Sequence, residues 1–449
     1  MTDPISDTGL AARLRRPATP QYRDDQAGLG GAEPIAVYAP RDAAETAAVL
    51  RACRAEGQKL VVQGGRTGLA GGARVLPGEA VLSLERCTFA PEIDPVAATL
   101  LVGAGVTLET AQAAARDAGL FLAADLGARG SAQIGGLIAT NAGGPLALRY
   151  GTFRQQVLGL EAVLPDGRVI RRLSGLAKDN SGYDLSQLLI GSEGTLGVIT
   201  RACLRLHPQP RSRRVALCAL ARLDDALPLL QRLRCELGPL LAACELIVEP
   251  LLSAACAARG LRHPLPGAAA LVLIETAGMS PEADDARLED TLGALLTEGI
   301  ATDAVLSQSE RESTGLWALR EGCSHYLFEI GPITSLDLSL PIPAIPRFVA
   351  EGAALLARIA PDTRAHAFGH LGDGNLHYVL TGHQPEPVLR AVFALTAGMG
   401  GAITAEHGIG LDKVAFLPLC RPPDEIAAMR AIKAALDPDT LLNPGRILG

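Results

Sequence analysis

Residues 123–144, AADLGARGSAQIGGLIATNAGG, and residues 179–199, DNSGYDLSQLLIGSEGTLGVI, bound the stretch around which the chain is organised. From Gly127 to Gly144 glycines recur among small residues with Ser131, Thr140 and Asn141, and Arg129 is the one charge. Glycine at this density costs backbone entropy, so it is tolerated where main chain must approach something closely or take positive φ. Bare amides with interspersed hydroxyls suit a pyrophosphate or the edge of a ring. The stretch therefore reads as lying against a bound dinucleotide. A ligand-free, glycine-rich turn region competes with that reading, because isolated glycine motifs are common.

Two further loops favour the ligand. Upstream, an apolar run leads into Gly64-Gly65-Arg66-Thr67-Gly68-Leu69; downstream stands Gly191-Ser192-Glu193-Gly194-Thr195-Leu196-Gly197. Neither is a GxGxxG opening a helix, and neither ends in Gly-Lys-Ser/Thr, so a Rossmann unit and a P-loop are both disfavoured. Several loops together do the wrapping.

Working outward, 449 residues are too many for one core and suggest at least two domains. Hydrophobic residues make up 48% and aromatics only 3%, leaving few rings to stack on single-stranded nucleic acid. A formal charge of −7 removes the electrostatic basis of phosphate-backbone binding. No apolar run reaches the roughly 18 residues of a membrane span, and the first twenty residues hold no apolar core of a secretory signal. Nine cysteines without a CxxC fit a reducing compartment. The expectation is a cytoplasmic protein, peripheral to the inner membrane if its electron acceptor lies there.

Strand, helix and strand are expected at 34–40, 42–56 and 59–62, followed by strands at 81–84 and 99–102 and a helix over 107–118 capped by Thr107. Val157 to Leu164, Pro165-Asp166-Gly167 and Arg168 to Ile170 predict a hairpin. Residues 207–214, HPQPRSRR, with two prolines and three arginines between apolar segments, are the clearest break and are read as the domain boundary. Beyond it, strands at 215–220, 245–248, 271–275, 333–340, 365–368 and 377–380 alternate with helices, which predicts an α+β domain with an antiparallel sheet.

The titratable residues gather late in the chain. His370 and His377 flank a glycine turn in HLGDGNLH, and Glu406 offers an oxygen from EHGIG. Two imidazoles and a carboxylate suit a borderline divalent ion such as zinc, although a histidine pair at this spacing is more often structural. His407, beside Glu406, is a candidate general base, with a ligand-holding role as its alternative. Arg320 could offer a planar fork to a carboxylate, or pair with Glu321 or Glu312 on a solvated helix face.

Ordered motifs carry a resemblance to a known family. GGRTGL at 64–69, QIGGLIATNAGG at 133–144, RYGT at 149–152, DNSGYDLSQLLIGSEGTLGVIT at 179–200, HLGDGNLH at 370–377, EHGIG at 406–410 and LNPGRI at 442–447 resemble the FAD-binding, vanillyl-alcohol-oxidase-type (PCMH-type) flavoproteins. The nearest branch is that of the D-2-hydroxy acid dehydrogenases, which act on D-2-hydroxyglutarate or D-lactate. The resemblance implies a two-subdomain PCMH-type FAD-binding domain at 33–208, an α+β cap domain at 209–423 carrying the metal site, and a return to the FAD domain at 424–449. FAD would contact Gly64, Gly65, Arg66, Thr67, Gly68, Leu69, Ser131, Ile134, Gly135, Gly136, Thr140, Asn141, Gly143 and Gly144, with Gly197 and Ile199 near the adenine and Asn443 from the returning tail. The family pattern implies metal ligation by His370, His377 and Glu406, with zinc favoured, substrate carboxylate binding by Arg320 with Ser324 one helical turn on, and proton abstraction by His407, which also touches substrate.

Three departures bear on function. Relatives carry a lysine where this chain has Ser335, and the 2-hydroxyglutarate branch has an asparagine where this chain has Val379. Loss of a cation and an amide weakens the case for a second substrate carboxylate, so a short or apolar D-2-hydroxy acid is favoured. Arg66 stands where relatives with histidyl-linked flavin have histidine, which implies dissociable FAD. The expected reaction is oxidation of the D-2-hydroxy acid to the 2-oxo acid, with electrons passing to a quinone or an electron-transfer flavoprotein rather than oxygen; a homodimer is compatible. The competing readings are a metal-dependent hydrolase without flavin and a non-catalytic flavin-binding subunit of a glycolate oxidase-like complex.

Overall fold

Asp42 is extended, and its carboxylate accepts the backbone N–H of Glu45, so the helix Ala43–Ala55 begins where a side chain satisfies one of its orphan amides. In the computed structural model, which describes residues 6–449, this helix buries Ala47, Val49, Leu50 and Cys53. The expectation about a secretory signal rests partly on residues 1–5, which lie outside the described residues. Thr107 caps Leu108–Asp117 in the expected manner, its hydroxyl accepting the N–H of Thr110.

Contacts divide the chain into two units. The first takes the chain through Gly144, then Tyr150–Gln209 and Glu406–Gly449; the second takes Pro145–Arg149 and Pro210–Ala405.

In the first unit, strands Val37–Tyr38 and Leu60–Gln63 both run parallel to Ala80–Ser83, which lies between them. The chain's end joins this sheet: Leu442 bridges Leu60 in parallel, with Leu60 N–H donating to Leu441 O and Asn443 N–H to Leu60 O, at 2.9 and 2.8 Å. A second, antiparallel sheet is ordered Glu92–Asp94, Thr99–Gly103, Val198–Arg205, Val157–Val163, Val169–Arg172. The hairpin read at 157–170 is its outer pair. Both sheets feed one core, in which Leu60 and Leu82 meet Leu100, Val102, Leu160, Leu204, Ile134 and Phe153. Truncating a fully buried side chain such as Phe153 to alanine costs about 3–5 kcal/mol.

The second unit is built on a seven-stranded sheet, antiparallel throughout, in the order Asp303–Leu306, Ser212–Leu220, Ala270–Gly278, Leu241–Val248, Ala365–His370, Asn375–Thr381, Ile333–Ser339. Helices Leu251–Ala258 and Glu310–Glu329 pack on it through Leu251, Leu252, Leu316, Cys323 and Leu327 against Ile247, Phe368 and Val379. Mixed helices and antiparallel strands make the chain α+β.

The division between the two units falls between Gln209 and Pro210, inside the break read at 207–214, and Arg213 and Arg214 just beyond it lie in the strand Ser212–Leu220, held there by ion pairs with Glu275 at 2.8 Å and Asp285 at 3.2 Å. The chain rejoins the first unit at Glu406, not at residue 424. The reason is local bonding: the N–H groups of Leu411 and Asp412 donate to Ala70 O at 3.0 and 3.2 Å, and Arg74 pairs with Asp412.

Candidate functional site

Strand Leu241–Val248, LAACELIV, is apolar except for Glu245. Register sets Glu245 directly opposite His370 on the next strand, and sets His377, one strand further, opposite Asp337 on the edge strand. Phe368 and Asn375 complete the cross-strand pairs Phe368–His377 and His370–Asn375. Because strand side chains alternate between faces, all six project from the same face. The turn between the histidines needs glycine: Gly374 has φ +85°, and a Cβ there would lie 2.3 Å from Leu340 O.

The two imidazoles meet edge to face, ring centroids 5.3 Å apart. His370 Nδ1 lies 2.6 Å from Glu245 Oε1, and His377 Nδ1 lies 3.5 Å from Asp337 Oδ1. Glu245 and Asp337 are both fully buried. A histidine whose Nδ1 faces a carboxylate presents Nε2 as its ligand atom, the outer arrangement found around metal-bound imidazoles. This donor set suits a divalent ion of the zinc type. Asp337 also accepts the Asn375 side-chain N–H at 2.7 Å and the backbone N–H of Ala405 at 3.1 Å.

Burial pushes the Glu245 carboxyl up, but the charges of His370 and Arg320 and their hydrogen bonds outweigh it and hold the group down at about 2. Arg320 Nε donates to Glu245 Oε2 at 2.9 Å; Nη2 lies 2.8 Å from the same oxygen, at an angle that makes no second hydrogen bond. The guanidinium carbon stands 5.1 Å from the Phe368 ring centre. Arg320 is thus buried and tied to a strand carboxylate, instead of pairing with Glu321 or Glu312 on a solvated face. One turn earlier Trp317 donates its indole N–H to Glu275 Oε2 at 2.6 Å, so a second buried strand carboxylate anchors the same helix. Ser324 follows Arg320 by one turn and is half-buried.

In the first unit, the segment bearing Glu406 and His407 is fixed to the glycine stretches. Gly144 N–H donates to Glu406 Oε1, and a Cβ on Gly143 would lie 2.8 Å from that oxygen, so glycine is required for the approach. Glu193 accepts the N–H groups of Ile409 and Gly410 at 2.7 and 2.8 Å, although burial pushes its own carboxyl above the usual range. Asn443, at φ +46°, accepts Val62 N–H at 2.7 Å and donates to Glu193 O at 2.6 Å.

The glycine loops divide by what surrounds them. Gly65 and Gly135 serve packing, since a Cβ would stand 2.0 Å from Ser131 O and 2.7 Å from the Ala104 Cβ. Gly144, at φ +96°, lies against Asp125 O, and Gly197 against Leu189 and Val163. Ile134, Ile199 and Asn443 are buried in the protein itself. The Thr140 hydroxyl donates to Gly136 O at 3.1 Å, that of Ser131 to Ala128 O at 3.3 Å, and Asn141 Oδ1 accepts from Arg154 N–H and the Thr152 hydroxyl. These side chains shape the loops more than they face a ligand. Gly136 is different: a Cβ there would meet nothing within 4 Å, and the nearby Gln133 Oε1 is buried with no hydrogen-bond partner. With the half-buried Gly64, Arg66 and Thr67 and the exposed Gly68 and Leu69, this leaves a cradle of main chain fit for a dinucleotide. Arg66, at φ +57°, lies over the Tyr22 ring at 5.2 Å.

A main-chain cradle between two small sheets, followed by an antiparallel-sheet unit, defines the class of two-part FAD-binding oxidoreductases. Residues 34–172 match the FAD binding domain and residues 209–447 the C-terminal domain of FAD linked oxidases, and the chain belongs to that family. It is 39% identical over 415 residues to the mitochondrial D-2-hydroxyglutarate dehydrogenase of Bos taurus, spanning 91% of this chain and 76% of that one. It is 38% identical over 465 residues to the D-2-hydroxyglutarate dehydrogenase of Xanthomonas citri pv. viticola, spanning 100% and 97%. The fold is similar to that of 4-ethylphenol oxidase from Gulosibacter chungangensis, with a TM-score of 0.72 at 20% identity over 97% and 92% of the two chains. Among the described residues no helix is long and apolar enough to cross a membrane.

Sequence reading missed Glu245 and gave Asp337 no role. A lone carboxylate inside an eight-residue apolar strand was the available signal, because a buried charge requires a partner.

Proposed function

We propose that this enzyme oxidises a D-2-hydroxy acid to the 2-oxo acid, with D-lactate or another short, apolar acid favoured over D-2-hydroxyglutarate. The observation that carries the reading is the histidine pair, each imidazole backed by its own buried carboxylate, with Arg320 bound to one of those carboxylates. Bound FAD, held without a covalent link because Arg66 replaces the attaching histidine, supplies a two-electron oxidant for the substrate C2 hydrogen. A divalent ion, zinc by its donor set, supplies charge that makes the 2-hydroxyl more acidic.

The protein residues do the rest. His370 and His377, each with its Nδ1 turned to a carboxylate, would hold the ion, with Glu406 the third ligand that the family pattern implies. Arg320 binds the substrate carboxylate through the edge of its guanidinium not given to Glu245, and Ser324 adds a hydroxyl. His407 takes the proton from the 2-hydroxyl oxygen as the C2 hydrogen departs. A quinone or an electron-transfer flavoprotein then accepts the electrons, in a cytoplasmic setting that can be membrane-peripheral; a homodimer is compatible with this.

The test is a panel of D- and L-2-hydroxy acids mixed anaerobically with the yellow protein while flavin absorbance is followed. Bleaching by D-lactate in preference to D-2-hydroxyglutarate and to L-acids is expected. A protein that stays yellow with every D-acid, or that carries no flavin, overturns the proposal.

A further inference from the structure

We propose that Glu245 is a positioning residue that couples metal affinity to substrate-carboxylate affinity, because one buried carboxylate fixes both His370 and Arg320. The inference rests on the metal and substrate roles assigned above to those two residues. Glu245 has no exposed surface, and it divides its oxygens, Oε1 to His370 Nδ1 at 2.6 Å and Oε2 to Arg320 Nε at 2.9 Å. An ionised carboxylate only accepts, so both bonds require the partners to donate. His370 then carries its hydrogen on Nδ1, which leaves the Nε2 lone pair for a cation. Arg320 is fixed at its Nε edge and laid against Phe368, so the direction of its opposite edge is set by a rigid plane.

Position in the fold explains why one side chain can do both. Glu245 sits opposite His370 in the sheet register, and the helix Glu310–Glu329 brings Arg320 down onto the same face. A glutamine at 245 could accept from one partner but would turn its amide N–H groups towards the other: towards Arg320 a donor would face a donor, and towards His370 the ring would have to accept at Nδ1 and carry its hydrogen on Nε2, losing that ligand atom. Either way one of the two functions loses its orientation. Glu275, which holds Trp317 on the same helix, provides a comparison: it anchors the helix without touching His370.

The experiment uses the FAD-loaded full chain and reads zinc affinity by competition with a chromophoric chelator, alongside KM and kcat for the best D-2-hydroxy acid. Glu245→Gln is expected to weaken zinc binding about 10–100-fold, the usual cost of removing a ligand-orienting partner, and to raise KM. In the wild-type background, Arg320→Met is expected to change zinc affinity at least about threefold; in the Glu245→Gln background it should not. Glu245→Asp, which keeps the charge and draws it back by one methylene, should fall between the two and serves if the glutamine variant does not fold. Glu275→Gln should lower Tm while leaving zinc affinity unchanged. Zinc affinity and KM both unaltered in Glu245→Gln and Glu245→Asp, in a wild type that binds zinc and is reduced by substrate, overturn the coupling alone. A wild type that does neither overturns the functional reading and the coupling with it.

Discussion

Ser335 and Val379 stand directly opposite one another across strands Ile333–Ser339 and Asn375–Thr381, two residues along from the Asp337–His377 pair and on the same face. Ser335 is exposed and Val379 is 3% exposed and part of the apolar core. Neither can neutralise a second carboxylate near His377. The double substitution Ser335→Lys and Val379→Asn places a cation and an amide there. A charge-assisted hydrogen bond contributes about 1.5–3 kcal/mol, so kcat/KM for D-2-hydroxyglutarate relative to D-lactate should rise by about tenfold or more. An unchanged ratio would remove these two positions from substrate selection.

Metal dependence is expected to be complete and reversible. Dialysis against a strong chelator should leave the flavin spectrum in place while abolishing its reduction by substrate, and added zinc should restore it. His370→Ala and His377→Ala should each lower zinc content and cut the reduction rate by at least about 100-fold. Metal analysis with stopped-flow absorbance checks this; full activity in metal-free protein would count against it.

His407→Ala should retain FAD and zinc yet slow flavin reduction by about 10²- to 10⁴-fold, the usual contribution of a positioned general base. A rate within a few-fold of wild type would show that proton removal lies elsewhere.

Stability should also respond to pH through Asp25. This residue is 7% exposed, and burial pushes its carboxyl up to about 6, against the opposing hydrogen bonds from Ala73 and Ala27 and with help from Asp24 and Asp412. The folded protein therefore holds this proton more tightly than the unfolded chain does. The associated stability is fully present below the ordinary carboxylate range near 4 and is lost as pH rises through about 6. Asp25→Asn should raise stability at pH 8 by about 2–3 kcal/mol, from a shift of about two units at 1.36 kcal/mol each, and should leave little difference at pH 4. Thermal denaturation of both proteins across that range is the measurement. No gain at pH 8 would refute it.

What could be read without coordinates was the part encoded locally. Thr107 is a hydroxyl at the head of a periodic segment, and Val157 to Ile170 has a turn tripeptide between apolar runs, so both elements lie where their own residues put them. Leu251–Ala258 was not visible, because LLSAACAA offers no polar face to set a period and follows Pro250. That Arg213 and Arg214 already belong to a strand was hidden, because the carboxylates that hold them there are more than sixty residues away in sequence. The candidate site divides in the same way. His370 and His377 share a short motif and were legible, whereas the tie between them and Arg320 runs through Glu245, 125 residues from one and 75 from the other. Only the pairing of strands brings those three together.

The hydrogen bonds of Leu441 and Asn443 with Leu60 carry a consequence for biosynthesis. A ribosome releases Leu60 long before it makes Leu442, so the nascent chain must wait with one side of its first-made sheet uncovered. The intervening residues 210–405 emerge during that wait and can fold meanwhile. The early-made sheet is therefore complete only once residues 441–443 have been made, and Leu442→Pro, which breaks that pairing, should trap a species whose residues 210–405 are folded and whose earlier-made sheet is not.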